Sequence, residues 1–246
     1  MFHSFDRYSR VARLYPALLT LAPLICSAIL IFPDLIGDLK KGVASALAAS
    51  CLFYLISSFA RSRGKLIEAR LLEQWGGWPT TILLRHRDTL IDAHTKARYH
   101  AELNALCPGL VLPTVVDEGA APADADAIYR SATKRLAETR RGPAFKMIED
   151  ENASYGFRRN MLGLKPIGLT IAVMAIAVTA FGWWSTVPPS ITKAVLVSAT
   201  ENYPHLPVLL AVDVGFFLLW AAMINAKFVR QAADEYAMAL FRSLDN

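Results

Sequence analysis

Apolar positions along this chain fall into blocks. Residues 14–33, 42–60, 166–192 and 202–226 form runs of 20, 19, 27 and 25 residues with no charged side chain apart from Asp213 in the last. About 20 helical residues cross a hydrocarbon core of ~30 Å, so each run is long enough to span a bilayer. Between the second and third runs, residues 61–165 change character: apolar residues return at helical spacing among charges. A helix from 65 to 75 stops at Gly76 and Gly77, Thr80 or Thr81 caps a short helix through LLRHR, and Thr95 caps another through Ala105. Pro122 opens a helix of about 19 residues, and a last one runs from Pro143 to about Asn160.

The pattern predicts an all-α membrane protein with four transmembrane helices and a cytoplasmic helical domain inserted between the second and third. Residues 1–60 hold an N-terminal segment and spans one and two, 61–165 the inserted domain, 166–226 spans three and four, and 227–246 a C-terminal helix. At the start, Arg7, Arg10 and Arg13 form a stripe distinct from Phe5, Tyr8, Ala12 and Tyr15, as in a helix lying at a membrane interface. No Gly or Pro interrupts 216–246, so the fourth span is expected to continue as one helix with Phe228, Ala232, Tyr236, Leu240 and Phe241 as its apolar stripe. The stretch YGFRRNMLGLKP at 155–166 marks the passage from water to bilayer, with Gly163 and Pro166 letting the third span turn.

Charge sets the orientation. Of the 26 Lys and Arg, 23 fall in residues 1–15, 61–165 and 227–246, while only Lys40, Lys41 and Lys193 fall in the other two connections. By the positive-inside rule both termini and the inserted domain are cytoplasmic, in a multi-pass membrane protein. Within the inserted domain, residues 61–100 carry eight basic and four acidic side chains, 101–129 none and five, and 130–165 nine and four.

Candidate chemistry is sparse. There is no H-E-x-x-H, G-x-S-x-G, phosphate-binding loop or Cys-x-x-Cys, so neither an enzyme nor a cofactor is expected. His86, His94 and His100 lack the spacing of a metal set, and Cys26, Cys51 and Cys107 lack that of a disulfide framework. Two clusters combine guanidinium, imidazole and aromatic groups, which hold phosphates and stack bases. One is Arg85, His86, Arg87, Lys96, Arg98 and His100; the other is Tyr155, Arg158 and Arg159, where a lipid headgroup is the competing partner. For Arg85, Arg87 and Arg98 the competing reading is an internal salt bridge. Within the spans, Ser50, Ser57, Thr170, Thr179 and Asp213 are candidate pore or intramembrane polar positions, and Asp213 should face a bundle interior, water or a partner, with snorkelling toward the outer surface as the competing reading.

WGGWPTTILLRHRD at 75–88, RYH at 98–100 and YGFRRNMLGLKP, set between two pairs of membrane helices, resemble bacterial four-span effectors of nucleotide-signalling anti-phage defence. The likeness is to the SMODS-associated four-transmembrane effectors and the Hailong membrane effector. It implies a self-assembling channel or membrane-disrupting effector controlled by a nucleotide or oligonucleotide that a partner nucleotidyltransferase makes. A homo-oligomer, with a tetramer favoured, fits, since four mostly uncharged spans need a symmetric ring to line an aqueous path. The competing expectation is a non-conducting scaffold that recruits a cytosolic enzyme through the acidic block 101–129 and the C-terminal helix.

Overall fold

The computed structural model describes residues 7–31, 43–186 and 202–245. Among them every regular element is helical and there is no strand. In chain order the helices are α1 (Tyr15–Ile31), α2 (Val43–Trp75), α3 (Pro79–Ile82), α4 (Ala93–Leu106), α5 (Val115–Ala120), α6 (Pro122–Thr139), α7 (Lys146–Thr186), α8 (His205–Leu218) and α9 (Ala226–Arg242). A single turn at Arg7–Ser9 and a π-turn at Arg10–Leu14 lead into α1, and a second π-turn, Leu219–Met223, follows α8. Both outer connections expected from sequence, with Pro188 and Pro189 in the second, lie outside the described residues, as does Phe5. The chain divides into two compact units, Met1–Lys65 with Phe157–Asn225 and Leu66–Gly156 with Ala226–Asn246.

The first unit is apolar on its outside. Two segments, Pro143–Ser185 of 43 residues and His205–Met223 of 19, are long and apolar enough to cross a membrane, yet only 33% and 22% of their most apolar stretches are buried. A core helix of a water-soluble protein would be covered; these present Val173, Val178, Phe181, Val208 and Leu218 to their surroundings. The 17 residues of α1 carry no charge, and α2 carries none before Arg61.

Close helix contact in this unit depends on two glycines. A Cβ on Gly163 of α7 would come within 2.6 Å of the Arg63 backbone in α2, and one on Gly64 within 1.8 Å of the Asn160 side chain. Gly163 therefore permits a crossing. The turn expected at Gly163 and Pro166 is absent: α7 runs unbroken through both, because glycine here answers to a neighbouring backbone and proline costs the helix one donor without ending it.

The single long helix expected over 216–246 is also absent. It breaks after the π-turn, where Ile224 is extended (φ −84°, ψ 101°), and restarts at Ala226. The reason lies on α7. Lys165 Nζ donates to the carbonyls of Ala221 at 3.0 Å and Ile224 at 2.7 Å, satisfying helix-end acceptors that a continuous helix would have used itself.

The second unit has an ordinary water-soluble core. Ala125, Tyr129, Ala132 and Leu136 recur on one face of α6 and meet Leu83, Leu84, Tyr99, Leu103 and Phe241. Of the expected C-terminal stripe, Ala232, Leu240 and Phe241 are buried and Phe228 and Tyr236 half-buried; Ala237, Leu240 and Phe241 of α9 enter this core, with Tyr236 packed against it. The Phe241 ring lies 5.8 Å from Tyr99, a tilted pair whose burial contributes about 2 kcal/mol. At the end of α2, Gly76 takes φ 76°, a left-handed cap that only glycine adopts cheaply, and the chain turns into Trp78 and α3. The cap of α4 is Asp92, whose carboxylate accepts from Thr95 N at 2.9 Å, rather than Thr95 itself.

Candidate functional site

The first basic cluster is assembled, and its side chains serve the fold. After α3 the chain runs through Leu83 and Leu84 into the core and leaves Arg85, His86 and Arg87 at its rim. Arg85 grips Asp126 of α6 through Nε (2.8 Å) and one terminal nitrogen (2.6 Å), and that nitrogen also donates to the Gly76 carbonyl at 2.6 Å. Lys96 of α4 donates to the carbonyls of Arg85 and Asp88, and His100 Nε2 lies 2.9 Å from the Leu84 carbonyl. Each tie fixes a backbone group of this irregular stretch that has no helical partner.

Glu118 of α5, almost fully buried, is the acid at the centre. Its carboxylate accepts from His86 N at 2.7 Å and from the Tyr129 hydroxyl at 2.9 Å, with Arg87 N and a terminal nitrogen at 3.4 Å. Burial pushes the Glu118 carboxyl up, but these donors outweigh it and the net displacement is downward. Burial drives the Lys96 ammonium down against Asp88 and Glu118. It also drives His100 down; the nearby His86 ring, 4.8 Å away edge-on, adds to this while the Leu84 carbonyl opposes it. Burial and the Glu118 hydrogen bond raise the Tyr129 hydroxyl.

Of the side chains expected to hold phosphate, Arg85, His86, Lys96 and His100 are engaged within the fold. Arg85 spends its fork on Asp126, and the other three hold backbone carbonyls or are held by Glu118. Arg98 pairs with Asp245 at 2.8 Å on the surface, and Arg87 reaches Glu118 only at 3.4 Å with its side chain half exposed. Those two retain access to water, and exposed pairs of this kind contribute little to stability.

The second cluster is divided between the units. Tyr155 donates its hydroxyl to the buried Glu68 at 3.1 Å inside the second unit. Arg158 is half-buried in the first unit, and Arg159 is buried there beside Asn160, whose Nδ2 donates to the Ala12 carbonyl at 2.5 Å. Ala12 lies in the first π-turn and Ala221 in the second. Asn160 and Lys165 of α7 thus each satisfy a carbonyl of a π-turn, where i to i+5 bonding disturbs the ladder.

Of the intramembrane candidates, Thr179 on α7 and Asp213 on α8 are brought together: the Thr179 hydroxyl donates to Asp213 Oδ2 at 2.9 Å, and neither residue has solvent exposure. Thr170 bonds its own helix at the Pro166 carbonyl and faces outward, Ser57 is half-buried, and the Ser50 side chain lies outside the described residues.

Sequence reasoning passed over four cations that the structure leaves exposed. Arg130, Lys134 and Arg135 lie on the solvent face of α6, opposite Tyr129 and Leu136, and Arg141 follows the helix; none forms an ion pair among the described residues. The available signal was their i, i+4, i+5 spacing. Among the described residues, no three His, Cys, Asp or Glu come together as a metal site. No family model, curated protein or solved structure matches this chain.

Proposed function

We propose that the protein is an oligomeric membrane effector. In this reading the four apolar runs cross the bilayer, the second unit lies in the cytoplasm, and subunits converge to pass ions when an anionic signal, a nucleotide or oligonucleotide, reaches the cytoplasmic unit. One observation carries it: α7 and α8 turn valine, leucine and phenylalanine outward while burying a hydrogen-bonded polar pair, Thr179 and Asp213. That arrangement suits a hydrocarbon solvent and reverses what water would select. For the signal, Arg130, Lys134, Arg135 and Arg141 replace the Arg85 group as the cations able to meet phosphate, with Arg87 and Arg98 beside water as further candidates.

The test is ion flux from liposomes holding the purified full-length protein, with and without added nucleotides or short oligonucleotides. Flux that a nucleotide changes, and that Lys134→Glu with Arg135→Glu uncouples from it, is expected; silent vesicles under every nucleotide would contradict the channel.

A second reading, a non-conducting scaffold, has its own observation. Val111, Val115 and Val116 stand open beside Asp117 and Asp124 in a stretch, 101–129, without any lysine or arginine. Such a surface suits a basic, apolar protein partner. This reading predicts silent vesicles and loss of that partner in Val116→Asp.

A further inference from the structure

Asp213 presents a chemical problem. Oδ2 accepts from Thr179, but Oδ1 is buried with no hydrogen-bond partner among the described residues. On the same helical faces as the pair, Ala172 and Ala175 of α7 and Leu206 and Leu209 of α8 are buried, and Gly168 packs on the Trp220 ring farther along. None of these side chains carries positive charge, nor does any of α1, which also packs on α8, over Tyr15–Ile31; nearby on α7, Lys165 is engaged on the carbonyls of Ala221 and Ile224. A carboxylate closed off from water needs a compensating charge, and among the described residues it receives only a neutral hydroxyl on its other oxygen.

We propose that Asp213 and Thr179 form a cation-exchange site within the α7 and α8 pair. Asp213 Oδ1 takes a small hard cation from water, a proton or a sodium ion, and Thr179 acts as the positioning residue that orients the carboxyl group. This rests on the membrane part of the function proposed above and gives the bundle a titratable site whose occupancy changes its internal charge by one. Ala172 and Ala175, small and buried two turns and one turn before Thr179, leave room for close packing that keeps the site dry.

The experiment uses the full-length protein in liposomes and dicyclohexylcarbodiimide, an apolar reagent that takes the proton of a carboxylic acid and leaves a stable acylurea on its carbon. Peptide mass spectrometry follows labelling of Asp213 across pH, with and without sodium, beside a water-soluble carbodiimide. Labelling by the apolar reagent that falls several-fold as pH rises, whatever the sodium concentration, assigns the site to protons. Labelling that sodium suppresses several-fold assigns it to sodium. Asp213→Asn should abolish the adduct, and Thr179→Val should keep it while shifting its pH midpoint. No adduct at any pH in sodium-free buffer, or modification by the water-soluble reagent alone, overturns the proposal. Flux is read from the same vesicles: labelled Asp213 in silent vesicles sinks the channel and leaves the site standing, while the reverse result sinks only the site.

Discussion

Val178 on α7 and Val116 on α5 are both open, 56% and 78% exposed, but their surroundings differ. Around Val178 the outward face of α7 continues apolar through Val173, Met174 and Phe181. Next to Val116 the exposed Asp117 follows in α5, while Glu118 and Tyr129 are buried, Tyr129 in a core with aromatic and aliphatic filling. The first unit turns long apolar faces outward around a buried polar pair; the second gathers its large apolar side chains inside and turns most of its charge to the surface. Exposure of a valine therefore means different things in the two units, and the sign of the pattern across a whole helix identifies the solvent.

The comparison can be broken from either side. The largest effect is expected from Arg85→Ala, which leaves Asp126 half-buried without its guanidinium and costs about 3 kcal/mol. Hydrogen exchange should lose protection in the second unit, Leu66–Gly156 and Ala226–Asn246, with α8 unchanged; loss confined to a nucleotide response would restore the ligand reading of Arg85. Gly163→Leu should cost about 2 kcal/mol by forcing α7 away from the Arg63 backbone, a change read as lowered thermal stability in detergent with α6 protection intact.

Lys165→Met removes the donor to Ala221 and Ile224 and should cost about 1 to 2 kcal/mol. Exchange at the amides of 221–227 should then change, faster if the break frays and slower if the continuous helix forms; an unaltered pattern would show that Lys165 does not hold the break.

Acid gives the smallest effect. The His100 imidazole is lowered in the folded state from its ordinary 6.5, chiefly by burial, so the folded form favours neutral His100. Its contribution is complete above about 6.5 and lost as pH falls below it. Glu118, held below its ordinary 4.5 by its donors despite burial, adds a second loss as pH falls below that value. Exchange in the second unit should rise in both windows, and His100→Phe should remove the first.

Helix type and the apolar blocks were legible because both follow from local pattern: Pro122 opens α6, and the run ending at Ala60 carries no charge. Positions set by other parts of the chain were not. Near residue 224 the local signal is Asn225 alone, a residue common at helix ends, and Lys165 holds the break from 59 residues away. Arg85, His86 and Arg87 look like a phosphate cluster until Asp126 and Glu118 arrive from α6 and α5. A basic tripeptide reports composition, while the acids that claim it are fixed only by folding. The Asp213 expectation differs, because a lone acid in an apolar run carries its demand for an inward partner locally; Thr179 as that partner was not readable.

The most direct test is nitroxide accessibility in the full-length protein reconstituted in liposomes, with Cys26, Cys51 and Cys107 replaced and single labels placed at Val178, Val208, Val116 and Arg135. Our account predicts that labels at 178 and 208 relax with oxygen and resist a water-soluble nickel chelate, while those at 116 and 135 do the reverse. Chelate access at Val178 and Val208 equal to that at Arg135 would contradict it.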